Sequence, residues 1–396
     1  MGFSTFTLGS ALCGFSPTIH FLIGSRIIQG VGAASLMASG PAILATAFPE
    51  EKRGQALGLI SSVVSAGFLT GPILGGFMVE HLGWRSVFFL NLPVGLVGIF
   101  LSRKFLEKVG FSGKSPLDIP GALLIFVLIT AFLLFLNRVS QGGSLFIWGW
   151  LLSGLICLGL LIWVESRSPS PLIDLDLFRQ KLFIASLGTG LLIFWMGGAH
   201  NFVLPFFLQD VLKFPPSKVG MLIFPVPLTV MIMAPLTGRF SDRIGVRIPA
   251  TIGLILLSLT TFSFHLLGTG ASEEGILLRQ VFQGLGIAFF MPANNSAILS
   301  SLPKERVGLA SSFMAFSRNL GMAMGIAFAE MVIAFRTGVT SLEPGKGCPP
   351  LEGLQDVWKS LLVIGLAAVV LSWTRTKSPA LPGKDNPSGG PHKVQK

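Results

Sequence analysis

The chain has 396 residues, of which 51% are hydrophobic and only 12% charged, against about 25% charged in soluble globular domains. A water-soluble core cannot hold that much apolar surface. The formal charge of +11 raises nucleic acid as a partner, and the three cysteines, Cys13, Cys157 and Cys348, are spaced for neither a metal site nor a disulfide framework.

Twelve hydrophobic segments follow one another, at 1–16, 21–48, 55–79, 86–102, 119–137, 147–164, 183–206, 219–237, 248–267, 276–300, 307–334 and 357–374. A bilayer-crossing helix needs about 17 to 25 residues, and strands of a membrane barrel would alternate polar with apolar, which these runs do not. The segments therefore predict an all-α polytopic membrane protein. The first is hydrophobic from its second residue and lacks a basic leader, so no cleavable signal is expected. With no tyrosine in the chain, the interfacial aromatic belt rests on seven Trp.

Placing the N-terminus in the cytoplasm sends 19 of the 29 Lys and Arg to the cytoplasmic face and 7 to the other, with Arg26, Arg279 and Arg318 inside segments. That asymmetry predicts two cytoplasmic termini. It also accounts for the net charge without nucleic acid.

In the second segment Arg26 lies several residues inside the span, three before Gln29 on the same helical face. It either faces a cavity or snorkels to the outer interface. In the third, Gly67, Gly71 and Gly75 share one face, with Pro72 between them and Gly76 beyond, a pattern for close backbone packing or for a hinge. The 119–164 pair is read as an inserted connector. His200 and Asn201 in 183–206, and Asn294 and Asn295 in 276–300, either line a substrate path or bond between helices. Between two greasy runs stands "GRFSDRIGVR": Gly238 and Gly245 permit a tight turn, Asp242 is placed to cap the following helix, and Arg239, Arg243 and Arg247 surround the acid. Arg318 lies near the middle of 307–334. Glu330 is the acid well inside a span, available either for proton exchange or for pairing with an outer loop cation. Residues 375–396 read as a disordered cytoplasmic tail.

The chain also repeats. At an offset of 254, Gln29, Gly30 and Gly32 fall on Gln283, Gly284 and Gly286, while Pro49, Gly54, Gly67 and Gly71 fall on Pro303, Gly308, Gly321 and Gly325. Two bundles related by an axis along the membrane normal would produce this register. The counterpart of Gly238–Arg247 would precede Met1, as would those of segments 183–206 and 219–237.

On these residues the chain resembles the major facilitator superfamily and, within it, the 14-helix drug:proton antiporters. "LIGSRIIQGVGAA" (Leu22–Ala34) is similar to the fourth-helix motif, "GFLTGPILGG" (Gly67–Gly76) to the antiporter motif, "WRSVFFLNLPVG" (Trp84–Gly95) to the sixth helix and "SRNLGMAMGIA" (Ser317–Ala327) to the thirteenth. The order Gly238, Asp242, Arg243, Gly245, Arg247 resembles the superfamily's gating loop. The resemblance implies two pseudo-symmetric bundles, with about 12 transmembrane helices of an expected 14 and the first two missing. It divides the chain into an N-terminal bundle (1–102), a linker with two extra helices (103–182), a six-helix bundle (183–374) and the tail (375–396). It implies proton-coupled export of hydrophobic or cationic small molecules by alternating access in the inner (plasma) membrane, by a monomer, with proton coupling at Arg26. The alternative is a truncated membrane protein that does not transport. The five histidines are isolated, and neither a nucleophile motif nor GxxxxGK[ST] occurs, so no enzyme, ATP-driven pump, metal or other cofactor is expected.

Overall fold

The structure is a computed structural model that describes residues 1–47, 81–105, 119–140, 146–165, 167, 180–302, 307–338 and 350–375, with 63–64, 66–67, 70–71, 74–75 and 78–79. Pro72, Gly76, most of the third predicted segment and the tail after Arg375 lie outside the described residues.

Every regular element among the described residues is helical. They run α1 (Gly2–Gly14), α2 (Ile19–Ala47), α3 (Ser86–Phe105), α4 (Ile119–Ser140), α5 (Phe146–Glu165), α6 (Lys181–Phe206), α7 (Pro216–Ile223), α8 (Pro225–Ile244), α9 (Arg247–His265), α10 (Glu273–Ser300), α11 (Val307–Thr337) and α12 (Leu351–Trp373). Eight helical stretches among the described residues are long and apolar enough to cross a bilayer. The chain is therefore an all-helical, polytopic membrane protein. The 219–237 segment, read as one run, divides into α7 and α8 at Phe224. Pro225 and Pro227 open α8 because they lack the N–H groups that a continuous helix would use.

Local chemistry sets the other boundaries. Pro205 interrupts the ladder of α6, and the chain widens into a π turn at Phe207–Val211, where Leu212 N donates to Phe207 O at 3.0 Å. Ser272 caps α10 by accepting from Gly275 N at 3.2 Å, and Glu273 and Glu274 in the first turn favour its dipole. α8 ends at Gly245, whose φ of +83° lies in the region that glycine enters most easily.

Lipid does not drive helices together as water does, so association depends on close packing. A Cβ on Gly325 would stand 2.1 Å from Trp195 O, and one on Gly321 2.6 Å from Leu191 O, so α6 and α11 touch backbone to backbone. Gly286 packs in the same way on α9, at 2.6 Å from Leu257 Cγ, and Gly32 on α1, at 2.3 Å from Phe6 N. Buried aromatics, among them Phe183, Phe207, Phe264, Phe290 and Trp358, fill the second half. Half of the membrane stretches of α6 and α10 is buried, against 17% in those of α2 and α3. The halves meet where α2 and α4 lie against α11.

The repeat explains where this packing stops. Gly32 and Gly286 are both covered, and their partners α1 and α9 fall on each other under the 254 offset. Gly284 packs on α8, with a Cβ 2.8 Å from Val226 O, whereas among the described residues nothing lies within 4 Å of where a Cβ on Gly30 would stand. Gly67 and Gly71, the counterparts of Gly321 and Gly325, are open in the same sense.

Candidate functional site

Beside the contact of α6 with α11 a small, open pocket of about 50 Å³ lies between α6, α10 and α11. α6 contributes Gly190 and Phe194, and α10 contributes Met291, Asn294, Asn295 and Ile298. From α11 come Met314, Ser317 and Arg318. Three residues marked in the sequence, Asn294, Asn295 and Arg318, are thus brought together. The pocket lies where the halves meet, since Arg318 Nη2 reaches the sulfur of Met37 on α2 at 3.4 Å.

Asn294 is held by groups that define its amide. The Arg375 guanidinium donates to Asn294 Oδ1 at 2.6 Å and also to Thr189 Oγ1, while the Thr189 hydroxyl lies 2.8 Å from Ala185 O. A guanidinium only donates, so the atom facing it is the amide oxygen. The Nδ2 amide then stands beside Gly190, 3.3 Å from where a Cβ on that residue would be.

Arg375, expected as the first residue of the tail, belongs to the bundle. It is 1% exposed, bonded through its own N–H to Ser372 O at 3.2 Å, with its guanidinium 5.8 Å from the Phe290 ring centre. Its Nε and Nη1 have no hydrogen-bond partner among the described residues. Burial pushes the guanidinium down to about 10, which leaves it charged at neutral pH.

The other sequence candidates are elsewhere. In the first half Arg26 donates to Gln29 Oε1 at 3.0 Å and lies 4.8 Å over the Phe88 ring, as the shared helical face predicts. Buried Gln29 donates to Ser10 Oγ at 2.6 Å, and Asn91 to the same oxygen at 3.3 Å, tying α1, α2 and α3 together. His200 and Asn201 part company. Asn201 is exposed, whereas His200 is buried, accepting from Trp358 Nε1 at 3.3 Å and facing Gln280 Oε1 at 3.4 Å. Glu330 is partly buried on α11, and Arg336, the cation at the end of the same helix, pairs instead with Asp356 at 3.2 Å and Glu352 at 3.5 Å.

In the charged loop the turn forms at Gly245, while Gly238 lies inside α8 with only an ordinary 3.7 Å contact to Pro292. Asp242 does not cap α9: α8 continues through Ile244, which places the acid in its last turn, and the α9 N-cap is Val246 without a side-chain bond. Among the described residues Asp242 forms no ion pair, Arg243 sits exposed in the same last turn, and Arg247 stacks 4.3 Å over the Trp373 ring. Gly75, like Gly67 and Gly71, has no described atom within 4 Å of where a Cβ would stand.

Sequence reasoning missed Thr189, Gln280, Trp358 and Arg375. One signal was available for Gln280, which falls on Arg26 under the 254 offset.

Comparison with known proteins places these features among transporters. Residues 1–326 match the Major Facilitator Superfamily. The chain is 35% identical over 335 residues to the riboflavin transporter RibZ of Clostridioides difficile, covering 84% of this chain and 73% of that protein. It is 33% identical over 357 residues to the multidrug resistance protein Stp of Mycobacterium tuberculosis, covering 87% of this chain and 64% of Stp. It thus spans roughly two-thirds to three-quarters of the length of these two relatives. The fold is shared with a crystal structure of a POT family transporter, at a TM-score of 0.65 and 20% identity over 95% of this chain and 81% of that one.

Proposed function

Because the chain belongs to the major facilitator superfamily, a family of membrane transporters and not of enzymes, we propose that it exports hydrophobic small molecules in exchange for protons by alternating access. The observation that carries this reading is the pocket at the meeting of the halves, lined by Phe194, Met291, Ile298 and Met314 and reached from α2 through Met37. A site at the interface of two repeats is exposed to alternate faces when one bundle rocks against the other. Of the two substrate classes implied by the resemblance, the pocket favours the hydrophobic one, since the charged residue that lines it is Arg318.

In this reading Glu330 carries the proton, Arg26 and Gln29 support coupling in the first half, and the Gly238–Arg247 loop biases the rocking equilibrium from the cytoplasmic side. The protein lies in the inner membrane as a monomer with both termini inside, divided at 1–102, 103–182, 183–374 and 375–396. The reading also includes fourteen helices, two of them preceding residue 1. Support for them comes from Gly30, Gly67 and Gly71, which no described residue covers, whereas their second-half counterparts are covered by α8 and α6. An in-frame upstream sequence encoding two hydrophobic helices and a second copy of the charged loop is expected; an immediate upstream stop codon overturns that part.

Transport itself is tested in proteoliposomes holding an imposed pH gradient and an amphipathic dye panel of ethidium, Nile red and fluorescein. Gradient-driven movement of at least one dye, abolished by a protonophore, is expected. Movement of none, with the protein inserted, would show a membrane protein that does not transport.

A further inference from the structure

We infer that the pocket between α6, α10 and α11 binds the anionic group of an otherwise apolar substrate, with Arg318 as its counter-ion and the Asn294 amide as a second donor. This rests on the transporter reading and narrows its substrate class.

Arg318 and Asn294 offer donors to the pocket, and Asn295 lines it with an amide that can turn either its oxygen or its NH₂ inward. Arg318 carries five N–H groups, and its contact among the described residues is the Met37 sulfur at 3.4 Å, a weak acceptor. A guanidinium inside a membrane bundle normally meets a carboxylate, a carbonyl or water, and among the described residues no carboxylate lines this pocket. Asn294 has its oxygen engaged by Arg375 and Thr189, so the group left beside the lining residue Gly190 is the NH₂. Ser317 donates its hydroxyl to Leu187 O at 3.1 Å, so its oxygen adds no donor to the pocket.

A second, independent observation points the same way. Arg375 is 1% exposed, has two guanidinium nitrogens without a partner among the described residues and bonds the same Asn294 that lines the pocket. Two cations therefore flank one amide in a low-dielectric setting, and the potential there is positive. That field repels a cationic substrate and favours a carboxylate, sulfonate or phosphate. The remaining lining, Phe194, Met291, Ile298 and Met314, is apolar, and a space of about 50 Å³ suits a small anionic head group, with the apolar body of the substrate at the open mouth.

The test is equilibrium binding to the purified full chain in neutral detergent without a pH gradient, using naphthalene-2-carboxylate, its uncharged carboxamide and 2-naphthylmethylammonium. The carboxylate is expected to bind about tenfold or more tighter than either analogue. Arg318→Gln should bring the carboxylate-to-carboxamide ratio close to one while leaving carboxamide binding within about twofold, and Arg318→Lys should keep part of the ratio. If Arg318→Gln does not fold, Arg318→Lys and Asn294→Asp carry the test, the latter shifting preference towards the ammonium probe. Equal affinity for carboxylate and carboxamide, or a ratio that survives these substitutions, overturns the inference. Displacement of the carboxylate by phosphatidylglycerol at low mole fraction also overturns it, by assigning the site to a lipid headgroup. A chain that binds the carboxylate but moves no dye refutes the transport reading alone, and one that transports without this preference refutes the anion site alone.

Discussion

Trp358 Nε1 can only donate, so the His200 nitrogen that meets it, Nδ1, is bare, and the proton sits on Nε2 facing Gln280 Oε1. Both ring nitrogens are occupied inside a buried aromatic cluster with Phe264 and Trp358. Accepting a second proton on Nδ1 would set it against the Trp358 N–H, so His200 is suited to packing rather than to carrying protons. Among the described residues Glu330 has no such restraint, and it is the residue on which the coupling proposal rests. Glu330→Gln should leave membrane insertion and dye binding intact but remove the dependence of dye movement on the pH gradient; unchanged pH dependence excludes the acid from the mechanism. His200→Ala is the control, expected to lower the thermal midpoint, because it leaves the Trp358 donor buried without a partner at a cost of about 1–3 kcal/mol, and to keep the pH dependence. Arg318, Asn294 and Glu330 could be read from the sequence because polar groups inside apolar runs are rare and expensive. Arg375 could not. An arginine two residues beyond a helix end looks like every other cytoplasmic anchor, and only the packing of α6, α10 and α12 turns it inward.

At the scale of elements, periodicity located the helices and chemistry at their ends decided the rest. The 219–237 run reads as one span by hydropathy, and Lys218–Ile244 forms one stretch long and apolar enough to cross a bilayer, but the missing N–H groups of Pro225 and Pro227 break its ladder into two helices at Phe224. The charged loop shows the reverse case. Its glycine framing predicted a turn, which forms at Gly245, but the helix before it runs longer than the pattern implies and keeps Asp242 in its last turn instead of at the next helix's start. An acid there opposes the α8 dipole, so helix capping does not explain its presence and a role in gating stays the better reason. Asp242→Asn should therefore preserve or slightly raise thermal stability while slowing gradient-driven transport severalfold. Gly245→Ala, strained at φ +83°, should instead cost about 1 kcal/mol or somewhat more of stability. Unchanged transport in Asp242→Asn would reduce the loop to a topology signal.

Across the whole molecule the glycines act as a gauge of which helices are neighbours. Gly321 and Gly325 allow α6 to approach α11 until a methyl group would overlap Trp195 O, whereas the same positions in the first half, Gly67 and Gly71, face no described atom. A sequence that keeps glycine where no described residue presses on it gives up helix stability of roughly 0.5–1 kcal/mol per residue relative to alanine. The cost makes sense if another helix, the equivalent of α6, packs there in the longer arrangement proposed above. The two halves then respond differently to one substitution. Gly325→Ala should destabilise the chain by a few kcal/mol through overpacking, lowering its thermal midpoint and its yield of folded protein. Gly71→Ala in the 396-residue chain should be neutral or mildly stabilising, and in a form extended upstream by two helices it should become as damaging as Gly325→Ala. Thermal midpoints of both variants in both lengths decide the matter: if Gly71→Ala is tolerated equally in the extended form, no helix equivalent to α6 rests on that face and the fourteen-helix arrangement fails.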